Sequence, residues 1–405
     1  MSDILYLWFI GDPNRPLLVG DLNLAMNGRG VSLRYSQEWL QIGFPLSEDL
    51  PLQDIEFFPR EKDEAAGSVD DARPDRWGEK VIRMIDRPQR LSIMEFLYYA
   101  GDDRFGALGV SSSRTEYRPR QIGPLPGLND IDALNEIVRK LLAGESVDEQ
   151  QKRLIAPGVT MGGARPKALI GIDGAEWVLK FAEADRPDEP LIEHATMTMA
   201  SKAGISVAET RPIRFHNGCA VAIRRFDREG NRRIHAISAK VALAAAGVDP
   251  SYPELALLLR RNGDADGDLN ILQMRELFRR MVFNILIDNT DDHEKNHVLL
   301  RNRNGKLELS PAFDVLPAGH GLRYQSMIVG QRGSESSIGN ALSMAGSFML
   351  KPGEAEEDVA RVMAVACNWK EHFVSHGISH ASINALEPYV LATSLSNNNS
   401  MHNIQ

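Results

Sequence analysis

Asp291, Asn296 and Asp314 have the types and the order that metal-assisted phosphoryl transfer requires. The first two lie in Asn289-Thr290-Asp291-Asp292-His293-Glu294-Lys295-Asn296-His297, and the third follows a short apolar run in Ala312-Phe313-Asp314-Val315-Leu316. An acid at the start of such a loop can take the proton of an attacking hydroxyl, while an amide oxygen and a second acid are hard ligands for Mg2+. Asp291 meets the Asp-x4-Asn spacing, and Asp292 falls one residue short of it. Taken singly, Asn289, Asp291 and Asp292 are residues that cap helices and turns, and an Asp after a strand is usually a turn former. The pairing of the two stretches favours chemistry over capping.

Phosphate handling also needs a cation and a loop that lets backbone approach. Trp177-Val178-Leu179-Lys180-Phe181 reads as a strand that carries Lys180, suited to α- and β-phosphates, and Glu193 on the next helix is the candidate acid to hold it. Upstream, Thr160-Met161-Gly162-Gly163-Ala164-Arg165-Pro166-Lys167 offers backbone N–H groups at Gly162 and Gly163, with charge from Arg165 and Lys167. The loop lacks Gly-x4-Gly-Lys-Ser/Thr, which disfavours a P-loop nucleotidase. His293 and His297 fall in a loop with no third ligand and make no zinc site. Asp264, Asp266 and Asp268 break the EF-hand order, so residues 262–268 read as a solvated loop.

The elements that must position these groups follow from pattern. Residues 17–26 and 31–35, joined through Asn27-Gly28, read as a β-hairpin in a β-rich N-terminal region, and 75–99 change to helical spacing. Residues 119–126 suit a linker, and 132–143 a helix with Ile131, Leu134, Ile137, Val138, Leu141 and Leu142 in one apolar stripe. Strands are expected over 168–172 and 177–181, joined across Asp173-Gly174, and over 221–226, with a helix over 191–203. Further helices are expected over 240–246, 254–261, 269–287 and 357–373, and a polar tail from 393. The expected domains are 1–118, β-rich; 119–230, a small nucleotide-binding lobe; 231–392, a helical catalytic lobe; and the tail 393–405.

The chain has 405 residues, long for a single core, and its 43% apolar and 25% charged content fits a soluble globular protein. A formal charge of -9 argues against a generic nucleic-acid binder, which needs a basic face to displace counterions. Cys219 and Cys367 are too few for a disulfide framework and fit a reducing cytosol. The apolar run Ile4-Leu5-Tyr6-Leu7-Trp8-Phe9-Ile10 has no basic flank and reads as a buried strand, and no stretch has the length of a membrane span. A cytoplasmic protein without membrane contact is the expectation.

The chain resembles the HipA family of serine/threonine kinases, toxins of bacterial toxin-antitoxin modules. The likeness lies in Gly162-Gly163-Ala164-Arg165-Pro166-Lys167, Leu179-Lys180, Arg225-Phe226-Asp227-Arg228, the stretch from Asn289 to Asn296, and Phe313-Asp314. It extends to Ala72-Arg73-Pro74-Asp75-Arg76-Trp77-Gly78 and Gly101-Asp102-Asp103-Arg104. The resemblance implies an α+β, two-lobed, protein-kinase-like fold with an added β-rich N-terminal subdomain and a mainly helical C-terminal lobe. It implies ATP and Mg2+, with Lys180 on the phosphates, Asp291 as base, and Asn296 and Asp314 on the metal. Thr160, Gly162, Gly163, Arg165, Lys167, Glu193, Phe226 and His293 complete the expected ATP-binding set. Family members phosphorylate a serine of a protein target, an aminoacyl-tRNA synthetase where known, and a small helix-turn-helix antitoxin that binds operator DNA restrains them. They also autophosphorylate a hydroxyl in the Gly-rich loop, which maps to Thr160. A small-molecule kinase and a non-catalytic, antitoxin-binding scaffold are the competing readings.

Overall fold

The computed structural model describes residues 3–120, 123–155, 165–183, 185–216 and 218–392. The chain forms two compact units. The first comprises residues 1–181, 215–217 and 224–246, and the second residues 182–214, 218–223 and 247–405. The α+β class is the expected one.

The first unit begins with a sheet of β1 (Ile4–Phe9), β2 (Leu17–Ala25), β3 (Gly30–Tyr35), β4 (Glu56–Phe57), β5 (Glu64–Ala65) and β6 (Leu108–Ser111). Strand order is β4-β3-β2-β1-β6, with β5 parallel against β3. Period-two alternation puts Leu5, Leu7, Leu22, Val31 and Leu33 into one core, closed by Trp39, Met94 and Leu97 from two helices. The hairpin expected at Asn27-Gly28 is present; both residues take the positive φ that such a turn requires, 57° and 85°. A second hairpin, β7 (Lys167–Ile172) and β8 (Ala175–Phe181), turns through Asp173 and Gly174 at φ 50° and 74°. The amphipathic helix is Ile131–Ala143; Leu142, placed in its stripe by spacing, is instead exposed.

A buried ionic knot holds two distant stretches of this unit together. Asp227 has no exposed surface and accepts from Arg225 Nε at 3.0 Å and Nη2 at 2.7 Å, Arg228 Nη1 at 2.7 Å and the Gly106 N–H at 2.7 Å. Burial alone would raise its carboxyl; Arg225 and Arg228 outweigh burial and hold it at about 2. Arg225 also reaches the carbonyls of Asp103 and Arg104, both at 2.9 Å. Arg104, fully buried, spends its guanidinium on the carbonyls of Gly101, Ala72 and Leu97. Gly101-Asp102-Asp103-Arg104 and Arg225-Phe226-Asp227-Arg228 are thus two halves of one structure.

In the second unit the helix Leu269–Leu286 is the axis. Met274, Leu277, Phe278, Met281, Val282 and Phe283 are buried along it, against Leu255 and Leu259 of Tyr252–Asn262 and Ala355 and Val362 of Pro352–Ala366. Two expectations need correction here. The helix read over 357–373 is two helices, Pro352–Ala366 and Trp369–Ser375: Pro352 starts the first a turn early, and Asn368, bonded to the Ala364 carbonyl at 2.9 Å, interrupts the run. The loop 262–268 is not wholly solvated. Asp264 is buried and accepts from Asn304 at 3.0 Å and Asn302 at 2.8 Å, which hold its carboxyl below the usual range.

Three histidines seal Trp369–Ser375 against Glu189–Lys202. His372 and His376 lie 4.3 Å apart, His194 and His376 5.4 Å, and His372 Nε2 donates to the Ala195 carbonyl at 3.0 Å. Burial, with His376 and Lys202 alongside, pushes His372 down to about 4.

Two outcomes are expected. Asp227→Asn leaves Arg225 and Arg228 with Glu176, at 3.1 and 3.2 Å, as their one remaining carboxylate among the described residues, and should lower stability by about 3 kcal/mol in urea unfolding. His372 titrates lower in the folded chain than when unfolded, so stability falls as pH drops from the ordinary histidine range toward 4. Hydrogen exchange over residues 369–376 should accelerate between pH 7 and pH 5, and a pH-independent rate, once intrinsic exchange is corrected, would contradict this.

Candidate active site

The helix Leu269–Leu286 delivers the chain directly into the stretch read as chemical. It ends at Ile287, and Asp288 reverses the chain in the left-handed region at φ 59°, a conformation Asp tolerates better than most residues. The turn is pinned from outside: the Ala318 N–H donates to the Asp288 carbonyl at 2.9 Å and the Gly321 N–H to its carboxylate at 3.2 Å. Burial raises the Asp288 carboxyl. Glu294–Asn296 form one tight turn, after which Val298–Arg301 pairs with Leu307–Leu309.

The two neighbouring acids have opposite surroundings. Asp291 is exposed. Asp292 is 2% exposed and accepts from the Tyr252 hydroxyl, from Asn284 Nδ2 at 2.8 Å and from His297 Nε2 at 2.8 Å. Burial pushes the Asp292 carboxyl up, but the His297 imidazole, with the Tyr252 hydrogen bond, brings it below the usual range. Burial and Asp292 together push the Tyr252 hydroxyl far up, so it remains a donor. Asn284 also receives Asn289, through Nδ2 at 3.1 Å and its N–H at 2.9 Å. The carboxylate that is one residue short in spacing is the one that builds the loop.

Asn296 is 5% exposed; its Nδ2 donates to the Asp291 carbonyl at 3.4 Å, and its Oδ1 is buried without a hydrogen-bond partner among the described residues. An amide oxygen left this way suits a ligand that protein does not provide. Asp314, half-buried, takes the left-handed conformation at φ 58°. Its segment is tied to the same region: the Ala208 N–H donates to the Ala312 carbonyl at 2.9 Å, and Ala318 reaches Asp288. An amide and one carboxylate leave most of a coordination sphere to water and phosphate, as Mg2+ prefers. No cluster of three or more His, Cys, Asp or Glu among the described residues could hold a metal. His293 is half-buried at the start of the tight turn, and its Nδ1 is buried without a hydrogen-bond partner among the described residues.

In the first unit, Lys180 is 5% exposed on β8, directly opposite Lys167 on β7. Lys167 was expected among the phosphate contacts, but it is 1% exposed and its Nζ lies 2.6 Å from Asp75. Phe226, assigned to the nucleotide, packs edge-on against Phe105 at 5.6 Å. Arg165 is half-buried at the start of the hairpin. Thr160, Gly162 and Gly163 lie outside the described residues. In the second unit, Glu193 is 1% exposed on Glu189–Lys202. Sequence reasoning missed Tyr252, Asn284 and Asp288. Tyr252 is 40 positions from Asp292, and nothing local marks it.

The model of the HipA-like C-terminal domain matches residues 159–369, and that of the HipA N-terminal domain residues 16–111. The chain belongs to the HipA family. A putative kinase of Haemophilus influenzae is 25% identical over 184 residues, 39% of this chain and 52% of that protein, so the match spans about half of that relative. The serine/threonine-protein kinase toxin HipA of Shewanella oneidensis is 21% identical over 338 residues, 74% of this chain and 73% of that one. Among solved structures, the Shewanella oneidensis HipA, HipB and operator DNA complex contains a chain that superposes with a TM-score of 0.66 at 17% identity, covering 96% of both chains. At that identity the likeness establishes the HipA fold. No helix among the described residues is long and apolar enough to cross a membrane.

Tyr252→Phe should cost about 1–3 kcal/mol in urea unfolding, because it removes one of the donors that compensate a buried carboxylate. An unchanged midpoint would show that Asp292 does not depend on it.

Proposed function

We propose that the chain is an ATP- and Mg2+-dependent serine/threonine protein kinase of the HipA type. The observation that carries this reading is the division of labour in the loop. Asp292 is consumed by Tyr252, Asn284 and His297, whereas its neighbour Asp291 is exposed and fastened through its own carbonyl to Asn296. A carboxylate held rigidly at its backbone and open at its side chain suits a general base.

In the proposed reaction the hydroxyl of a target serine or threonine gives its proton to the Asp291 carboxylate. Its oxygen bonds to the γ-phosphorus as the bond to ADP breaks. Lys180 neutralises the α- and β-phosphates, and Asn296 Oδ1 and Asp314 hold Mg2+. Bound Mg2+ would supply charge compensation for the phosphate oxygens. Most of the rate comes from this preorganised charge rather than from proton transfer. Thr160 is the proposed site of self-modification.

The proposed partner is a small helix-turn-helix antitoxin of HipB type; the Shewanella relative is described in complex with HipB and operator DNA. A chain of net charge -9 is suited to DNA contact through such a partner rather than directly. The proposed target is a protein, of which an aminoacyl-tRNA synthetase is the family precedent. The match to the HipA N-terminal domain over residues 16–111 favours a protein over a metabolite.

Asp291→Asn should reduce phosphate transfer to protein by about 10^3-fold or more while leaving nucleotide affinity near that of the wild type. Asp314→Asn should weaken Mg-ATP binding itself. Labelled ATP with lysate proteins, read beside calorimetric binding, separates the two; transfer by the Asp291 variant at the wild-type rate would exclude it as base.

A further inference from the structure

Asp288 follows the helix Leu269–Leu286 in the left-handed region at φ 59° and is 8% exposed. Glycine or asparagine makes such a turn without a charge. A carboxylate there is disfavoured twice: the carbonyl end of a helix repels negative charge, and burial removes the water that would solvate it. The turn alone does not account for an acid at this position.

The donors that offset both effects come from the segment that follows Asp314. The N–H groups of Gly319, His320 and Gly321 turn to the Asp288 carboxylate, the last at 3.2 Å, and the Ala318 N–H donates to the Asp288 carbonyl at 2.9 Å. Gly319 and Gly321 take φ 67° and 57°, and left-handed residues so spaced turn successive N–H groups into one anion-binding hollow. A Cβ at Gly319 would meet Leu386 at 3.2 Å, and one at Gly321 would meet Tyr389 at 2.9 Å, so the hollow is backed by side chains. Upstream of Asp314, the Ala312 N–H donates to the Ser206 carbonyl at 2.8 Å and the Ala312 carbonyl accepts from Ala208 at 2.9 Å. Asp314 thus lies between two anchors, with Val315 and Leu316 buried on the way to the second. Asp288 is three residues before Asp291, and Ala318 is four after Asp314. The second anchor therefore ties the candidate base and the candidate metal ligand to one carboxylate.

We propose that Asp288 is a positioning residue for the metal site: by gathering the N–H groups of residues 319–321, its carboxylate sets where Asp314 stands relative to Asn296. This rests on the metal assignment of Asn296 and Asp314 in the kinase reading above, in which Asp288 touches neither nucleotide nor metal. Without the carboxylate, the Ala318 bond and the bond from Ser326 Oγ to the Thr290 carbonyl at 2.9 Å still hold the segment. The expected loss is therefore of metal affinity rather than of the fold.

The test uses the full chain, an ATP analogue whose γ-phosphate cannot be transferred, and Mn2+, which takes the same oxygen ligands as Mg2+. Electron paramagnetic resonance reads the bound Mn2+. Asp288→Gly keeps the left-handed turn and removes only the carboxylate. It should weaken Mn2+ binding about tenfold, as loss of a group that supports a metal ligand does. Asp288→Asn keeps one side-chain oxygen and should weaken it about threefold. Amide exchange over residues 318–321 should accelerate in Asp288→Gly, while that over 206–208 stays as in the wild type. A cycle with Asp314→Asn separates positioning from a general structural role. If Asp288 acts through Asp314, adding Asp288→Gly to Asp314→Asn should change Mn2+ affinity less than about twofold, whereas independent effects multiply. A further tenfold loss in the double variant, or wild-type affinity in Asp288→Gly, overturns the proposal. If Asp288→Gly does not fold, Asp288→Asn carries the same cycle, and wild-type affinity there overturns it. Wild type that binds no Mn2+ beside the analogue overturns the metal assignment and the kinase reading, and the inference with them.

Discussion

A carboxylate removed from water keeps its charge only where the protein returns the hydrogen bonds that water gave it. Asp292 is the case on which the second unit depends. A phenol from the helix Tyr252–Asn262, an amide from Leu269–Leu286 and an imidazole at the entry to the strand Val298–Arg301 converge on its Oδ2. None of the three can move away without leaving a buried charge short of a donor. The exposed Asp291 next to it therefore stands on a rigid base that its own side chain has no part in making.

The first unit solves the same problem with cations. Asp227 takes two arginines and a backbone N–H, and the same arginines fasten carbonyls at Asp103, Arg104 and Gly106. Gly106 itself needs φ 77°, so the N–H that meets Asp227 is presented by a backbone conformation that favours glycine. Further ties run along the same seam, from Arg233 to Asp102 and from Ser238 to Asp71. Residues 224–246 are consequently anchored to the β-rich region, and the hairpin that carries Lys180 is held by the Asp75 turn from one end.

Signals in the sequence are legible where the geometry they specify is local. Asn27-Gly28 and Asp173-Gly174 announce hairpins because few other residues accept positive φ, and the alternation of Leu5, Leu7, Val31 and Leu33 announces a half-buried sheet. The HipA family was visible in ordered motifs, and domain models match over most of the chain. What spacing could not show is which charged residues are already engaged by others. Lys167 looks like a loop cation until Asp75, 92 positions earlier, is seen beside it. Asp264 looks solvated until Asn302 and Asn304 close on it. The break at Cys367 and Asn368 is hidden in the sequence because apolar residues continue at helical intervals through it, with Trp369 and Phe373 buried on the second helix.

The contact from His297 to Asp292 joins residues five apart in sequence. It closes a small ring of chain that encloses His293, Glu294, Lys295 and Asn296. A ring of fixed circumference accepts exchanges of side chain at its exposed positions, but not an added or deleted residue, because either would pull Asn296 out of register with Asp291. Homologues that diverge far in composition should therefore keep the length of this segment even where they change its letters, and a shift in that length would mark a descendant that has given up the chemistry while retaining the fold.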